Sequence, residues 1–233
     1  MVSSELYDKN YYQTLRDEYL ADTAWKRNRI ANVMQLIEGL GVDGTRALDI
    51  ACGIGTFTVE LHRNKVFTIG IDSATNAITA SSLLFRETNP EPGNFVASDA
   101  LTLPFAENVF DLVMCADFIE HITSEEYSKL VVESWRVLKP GGHICVYTPN
   151  RWHFLEFMMR YNVILKRDQS HIDIKTMEKT LAPLRLSGLE VIKAYYRPTH
   201  IKILKTIESA LMHIPAAGRF FRRRICVLAR KPQ

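Results

Sequence analysis

The chain has 233 residues, 47% of them apolar and 24% charged, a globular balance that suits one domain and excludes a disordered tail or a collagen-like repeat. No apolar run reaches the ~18 residues that a membrane-spanning helix needs, and Met1-Val2-Ser3-Ser4-Glu5 lacks the basic-then-apolar pattern of a secretory leader. The net charge of +3 is uneven, because from His200 onward eight basic residues face one acid, Glu208; that segment carries +7 and residues 1–199 carry −4. A basic end on an acidic body calls for an anionic partner. Cys52, Cys115, Cys145 and Cys226 lie far apart with no C-x-x-C pair. That spacing speaks against a disulfide framework or a zinc knuckle and for a reducing cytoplasm.

The first forty residues read as helix, with Trp25, Ile30, Val33, Met34, Leu36 and Ile37 at roughly helical spacing before Gly39-Leu40-Gly41. Short β-branched or aliphatic runs then alternate with helical patterns. Strands are predicted at Arg46–Ile50, Val66–Ile71, Asn94–Ser98, Phe110–Cys115 and His143–Thr148, and helices at Thr56–Arg63, Ala74–Glu87 and Ser124–Leu138. The last of these opens with Thr123-x-x-Glu126, a capping-box pattern. After Thr148 come an aromatic and Met-rich stretch (Trp152 to Leu165), a helix from Ile174 to Leu186, a strand at Glu190–Tyr196, a helical insert from Ile201 to Ile214 and a strand at Arg224–Arg230. Strands joined by helices imply parallel crossovers and a doubly wound α/β sheet. The expected organisation is one domain: a helical cap over 1–42, a ligand-binding core over 43–150, and acceptor-side elements over 151–233 with a basic amphipathic insert at 200–224.

The most informative stretch is Ala47-Leu48-Asp49-Ile50-Ala51-Cys52-Gly53-Ile54-Gly55-Thr56, a buried strand that turns on two glycines into a helix. Glycine lets the backbone turn sharply and a ligand approach closely. A lone Gly-x-Gly is weak, but the next strand ends in Gly70-Ile71-Asp72. A carboxylate there is placed to accept both hydroxyls of a ribose, although Asp72 alone also reads as a helix cap. Thr58 stands where a dinucleotide loop has its third glycine, and Asp49 sits beside the loop. An acid is badly placed beside a diphosphate and well placed beside an ammonium. The loop therefore suits a cationic nucleoside without phosphates.

These residues resemble the class I S-adenosylmethionine-dependent methyltransferases, whose loop reads like L-D-x-G-C-G-x-G; here Ala51 replaces the first glycine. Asp72 at the end of the second strand, Ser98-Asp99-Ala100-x-x-Leu103-Pro104-Phe105, Phe110-Asp111-Leu112-Val113 and Leu138-Lys139-Pro140-Gly141-Gly142 continue the resemblance in order, over about residues 45 to 150. It implies a mostly parallel seven-stranded Rossmann-like sheet with one antiparallel strand, which suits Arg224–Arg230, and a methyltransferase activity with S-adenosyl-L-methionine as cofactor. The implied cofactor contacts are Arg29, Asp49, Ala51, Gly53, Gly55, Asp72, Ser73, Asp99, Ala100, Cys115 and Ala116. Arg29 would meet the cofactor carboxylate and Asp99 the adenine amino group.

On the acceptor side the chain reads Cys115-Ala116-Asp117-Phe118-Ile119-Glu120-His121, without an Asn-Pro-Pro-Tyr-type motif. This resembles the ubiquinone-biosynthesis O-methyltransferases, which implies a magnesium site at Asp117, Glu120 and His121, with Asp117 standing where that family has Glu. Thr148-Pro149-Asn150-Arg151 and Ser170-His171-Ile172-Asp173 also resemble that family. Three roles for the Glu120–His121 pair stay open: bracing the sheet edge, general base catalysis and metal ligation. Tyr11 and Tyr12 are expected either to close over the cofactor or simply to pack. In the insert, Ile203, Leu204, Ile207, Leu211 and Ile214 form a stripe and Phe220-Phe221-Arg222-Arg223-Arg224 follows, a pattern for an anionic membrane surface or for packing on its own domain. The expected function is methyl transfer to a small-molecule or lipid-linked acceptor, at oxygen, from a cytoplasmic protein that meets the membrane peripherally. Two alternatives stand beside it: an RNA or protein methyltransferase docking through Arg222–Arg224, with nucleic acid the weaker partner because the body is acidic, and a catalytically silent cofactor-binding module.

Overall fold

A computed structural model describes residues 8–162, 169–199 and 202–233. One seven-stranded sheet runs through it in the order β3-β2-β1-β4-β5-β7-β6. Its strands are β1 (Arg46–Ile50), β2 (Phe67–Asp72), β3 (Asn94–Ala97), β4 (Phe110–Ala116), β5 (Leu138–Pro149), β6 (Glu190–Arg197) and β7 (Arg224–Arg230). β1 pairs in parallel with β2 and β4, as do β2 with β3 and β4 with β5, while β7 lies antiparallel to both β5 and β6. This is the mostly parallel sheet with one antiparallel strand that the sequence implied. β1 and β4 bury nearly every residue because helices cover both faces of a parallel sheet.

Alternate residues send side chains to opposite faces. Leu48, Ile50, Val113, Cys115, Ile144 and Val146 pack on one side with Tyr127, Leu130 and Val131 of α5 (Ser124–Val137). On the other side Ala47, Leu112, Met114, Cys145 and Tyr147 meet Val33, Leu36 and Ile37. The capping box at Thr123 and Glu126 is formed at the start of α5.

The first forty residues form two helices rather than one, α1 (Lys9–Leu20) and α2 (Ala24–Ile37), because Thr23 caps the second by accepting from the Lys26 N–H. Tyr12 is buried with Ile54 of the glycine turn and with Ala77, Ala80 and Leu84 of α4 (Thr75–Thr88), so it packs the cap onto the core. The strand expected from His143 begins at Leu138, which pairs with Phe110 of β4 ahead of a register shift at Leu112, with Gly141 turned to φ 79 between them. The late helix α7 (Met177–Leu186) starts after Thr176, its N-cap, three residues later than expected.

The insert departs most from expectation. Its first residue, Ile201, and the end of the Trp152–Leu165 stretch lie outside the described residues. The side chain of Ile203 likewise lies outside the described residues; among the described side chains of α8 (Lys202–Leu211) the buried one is the acid Glu208, whereas Ile207 is 47% exposed and Ile214 just beyond is 43% exposed. Glu208 accepts from His153 Nε2 at 2.8 Å and from the Thr199 N–H, and His153 starts α6 (Phe154–Arg160) by accepting from the Leu155 N–H. The arginine run is not an open basic patch. Arg222 stacks on Tyr196 and donates to the Met212 carbonyl, Arg223 pairs with buried Glu156, and Arg224 pairs with Asp117. Each guanidinium of Arg222–Arg224 thus has a partner within the chain.

Glu208→Ala leaves two buried donors, His153 Nε2 and the Thr199 N–H, without their acceptor. A cost of ~1–3 kcal/mol for each is expected, read as faster amide hydrogen exchange in α8 than in α5. Equal protection in the variant and the parent would remove Glu208 as the anchor of the insert.

Candidate active site

At the carboxyl end of β1 the chain turns through Ala51 (φ 54), Gly53 (φ 54) and Gly55 (φ 78) into α3 (Thr56–Arg63). All three lie in the left-handed region, so Ala51 carries a strain that glycine would not. The Cys52 N–H donates to the Ile71 carbonyl at 2.9 Å and fastens the turn to β2. A Cβ at Gly55 would lie 3.0 Å from Phe95 and Ser81, whereas a Cβ at Gly53 meets nothing within 4 Å. Gly53 thus leaves open the space above the turn, which a side chain would partly fill.

Asp72 accepts from the Gly53 N–H at 3.0 Å with one carboxylate oxygen and from the Ala74 N–H at 2.9 Å with the other. The two readings of Asp72 are therefore compatible: it braces the loop and opens α4, and each oxygen keeps a second lone pair for a hydroxyl donor. Asp49 is 1% exposed and accepts from Thr58 Oγ1 at 2.8 Å. Burial pushes its carboxyl up to about 7 despite that bond. A cation beside it would restore the charge. Thr58, where a dinucleotide loop has glycine, thus serves to hold Asp49.

Ser73 and Asp99 are exposed at the ends of β2 and β3, and Asp99 turns its own loop by accepting from the Leu101 N–H at 2.9 Å. Ala100 and Ala116 are buried. Cys115 packs its side chain in the core beside Leu48 and Ile50, so it offers a ligand only backbone atoms. A buried acid, an open glycine turn and a loop-braced carboxylate at the next strand fit S-adenosylmethionine, a nucleoside with an ammonium and a sulfonium. These residues would hold its amino-acid end near Asp49 and Arg29 and its ribose near Asp72.

Beyond β4, Asp117 stands at φ 54 with both oxygens engaged: Arg29 Nε donates at 2.6 Å and Arg224 donates at 2.6 Å. Burial acts to raise the Asp117 carboxyl, but Arg224 and Arg29 outweigh it and hold it near 2. Arg29 also lies 4.8 Å from the centre of the Phe57 ring, in the first turn of α3, which sets it beside the glycine turn. The expected magnesium set fails at this point. Asp117 is a guanidinium partner, and the group that converges with Glu120 and His121 is His171, with donor atoms within 4.8 Å of one another. One carboxylate and two imidazoles do not fit magnesium, which prefers oxygen ligands.

Glu120 is buried, and burial raises its carboxyl; Thr148 Oγ1 donates to it at 3.0 Å. His121 Nδ1 lies 2.9 Å from the Ser170 carbonyl. A carbonyl only accepts, so Nδ1 carries the proton and Nε2 the lone pair. Fully buried Lys175 donates to the Ile119 and Ile122 carbonyls and clamps the turn that bears the pair. Sequence reasoning missed both Lys175 and Arg224, since a lysine in a polar segment and an arginine within a run give no local signal. His171 also lines a cavity of about 450 Å³, with Trp152, Phe157, Tyr161, Ile174 and Phe220 among its walls.

Residues 48–146 match the family model described as a methyltransferase domain. The demethylmenaquinone methyltransferase of Deinococcus radiodurans is 32% identical over 132 residues, 53% of this chain and 48% of that protein. The chain spans about half the length of the curated relatives it matches. An S-adenosylmethionine-dependent methyltransferase from Archaeoglobus fulgidus shares the fold with a TM-score of 0.68 at 21% identity, over 94% of this chain and 100% of that one. Phosphoethanolamine N-methyltransferase 2 of Haemonchus contortus, solved with S-adenosyl-L-methionine, does so with a TM-score of 0.65 at 21% identity, over 88% of this chain and 53% of that one. Asp49, the glycine turn and Asp72 all lie inside the span that matches the methyltransferase-domain model.

Two expectations follow for cofactor binding. Asp72→Ala is expected to weaken S-adenosylhomocysteine by ~1.5–3 kcal/mol, the worth of hydrogen bonds to a charged group; unchanged affinity in calorimetry would defeat the ribose assignment. Asp49 binds a cation only when ionised, and its carboxyl sits at about 7. Affinity should therefore rise as pH is raised from about 6 toward 7.5 and level off above, and Asp49→Asn should lose that slope.

Proposed function

We propose that the protein transfers a methyl group from S-adenosylmethionine to an oxygen of a small amphipathic or lipid-linked acceptor. The observation that carries this reading is the cavity walled by Trp152, Phe157, Tyr161 and Phe220, which His171 also lines. Bound S-adenosylmethionine supplies a methyl group activated by a positive sulfur. The chain then has to align an acceptor oxygen, exclude water and lower that oxygen's hold on its proton. Trp152, Phe157 and Phe220 line a slot for an apolar ring or chain. Glu120 and His121 stand behind it, and the His121 Nε2 lone pair can act in two ways, by taking the acceptor proton or by holding a cation against the acceptor oxygen.

The relative named for demethylmenaquinone supports a small-molecule acceptor of that kind. The rim supports delivery from an anionic membrane surface. Phe157 and Tyr161 are 56% and 59% exposed beside Arg160, Arg219 lies over Trp152, and α8 turns Ile207 outward. Among the described residues no helix is long and apolar enough to cross a bilayer, so contact would be at the surface.

The test is transfer of a labelled methyl group to phenolic and quinol amphiphiles, free and in anionic liposomes. Acceptor turnover is expected, with His121→Ala lowering kcat by ~10²–10⁴ while S-adenosylhomocysteine still binds. Turnover confined to RNA or protein acceptors would overturn the reading. Ile207→Ser with Ile214→Ser, outside the cavity lining, should reduce liposome binding without changing turnover of a water-soluble acceptor.

A further inference from the structure

Asp117 is shared by two guanidiniums that each give it one bond. Arg29 Nε donates to Oδ2 and a terminal nitrogen of Arg224 donates to Oδ1, both at 2.6 Å. An arginine alone with a carboxylate commonly closes a fork of two parallel N–H···O bonds. Neither arginine does so here, and among the described residues the buried Arg224 Nε has no acceptor. Several contacts hold this shared arrangement. The Asp117 N–H donates to the Tyr147 carbonyl at 2.7 Å, and Arg224 lies 5.3 Å from the centre of the Tyr147 ring. Arg29 lies over Phe57 in the first turn of α3, and Lys26, one turn before it, pairs with Glu18 instead of Asp117. Among the described residues Asp117 is the acceptor that Arg29 has, and it takes Nε.

We propose that Arg224 is a positioning residue for the carboxylate of S-adenosylmethionine: by occupying Asp117 Oδ1 it keeps Arg29 from closing a fork on Asp117, and so leaves the terminal nitrogens of Arg29 for the cofactor. Charge supports the same division. Two guanidiniums on one ionised carboxylate leave one positive charge over, and that charge stands close enough to Asp49 to act on its ionisation. With Arg224 removed, Arg29 and Asp117 would match one to one. Arg29 would then gain a second bond to Asp117 and lose its surplus charge, and a ligand carboxylate would have to compete for it. Arg224, at the start of β7 and 107 residues from Asp117, thus makes the site read the carboxylate of its cofactor. The inference concerns the cofactor end alone and holds whatever the acceptor is.

The experiment is calorimetry on the full chain with S-adenosylhomocysteine and with S-adenosyl-3-thiopropylamine, which lacks only the carboxylate. The parent should bind the first ~10–100-fold more tightly, the worth of hydrogen bonds between charged groups. Arg224→Gln should remove most of that preference by weakening S-adenosylhomocysteine, while the decarboxylated ligand changes less than about twofold. Arg29→Gln should do the same, and the double variant should lose no more than Arg29→Gln alone, because Arg224 acts through Arg29. Arg224→Lys keeps a cation beside Oδ1 and should retain the parent's preference. Equal losses for the two ligands in Arg224→Gln would make Arg224 a structural residue and overturn the proposal. So would additive losses in the double variant, a preference lost in Arg224→Lys, or a parent that binds the two ligands alike or binds neither.

Discussion

One carboxylate joins three distant parts of the chain. Asp117 receives Arg29 from the N-terminal cap and Arg224 from the last strand, both at 2.6 Å, at the point where β4 ends and the site begins. Two guanidiniums around one carboxylate leave an excess positive charge in a partly dehydrated place, which costs free energy unless an anion completes it. Arg29 lies over Phe57, beside the turn where the cofactor's amino-acid end would sit. A bound carboxylate there would balance the cluster, so the same charges that hold cap, centre and edge strand together also prepare the cofactor site. Asp117 is therefore an electrostatic keystone, which is why it is withdrawn from any metal.

The acceptor side follows the opposite logic. Its polar groups are turned inward and saturated, with Glu208 on His153, Glu156 on Arg223 and Lys175 on two backbone carbonyls. Its apolar groups are left outside, where Ile207, Phe157 and Tyr161 remain about half exposed. In α8 the acid Glu208 is buried while Ile207 faces outward. The arrangement makes sense if another apolar phase covers it, and it puts that phase at the mouth of the cavity.

Much of this was legible in the sequence where a local pattern and a physical need coincide. Arg46–Ile50, Thr56–Arg63 and Arg224–Arg230 have the observed boundaries because glycines, charged residues and periodicity mark their ends. Asp49, Gly53, Gly55 and Asp72 were readable because a sharp turn needs glycine and a cationic ligand needs an acid at fixed spacing. The break at Thr23 went unread although Thr23 is a good N-cap, since the apolar periodicity runs on across it. Partnerships between distant residues left no trace. The spacing of Asp117, Glu120 and His121 suggests one ligand set, yet Asp117 faces residues 88 and 107 positions away. Arg222–Arg224 read as an exposed patch, and only the fold shows three different inward partners.

The composition of the Glu120 site explains why one histidine supports two chemistries. The Ser170 carbonyl can only accept, so it commits His121 to the Nδ1–H tautomer and places the lone pair on Nε2. A base at this position would take the acceptor proton, whereas a cation would set positive charge beside the acceptor oxygen and weaken its O–H bond. The second route suits a buried carboxylate better. Burial raises Glu120 because its negative charge lacks solvent, and a divalent ion supplies the missing compensation directly. The chain thus keeps two separate charge balances a few residues apart: an excess of guanidinium at Asp117 that favours an anion, and a buried acid with two imidazoles at Glu120 that favours a cation.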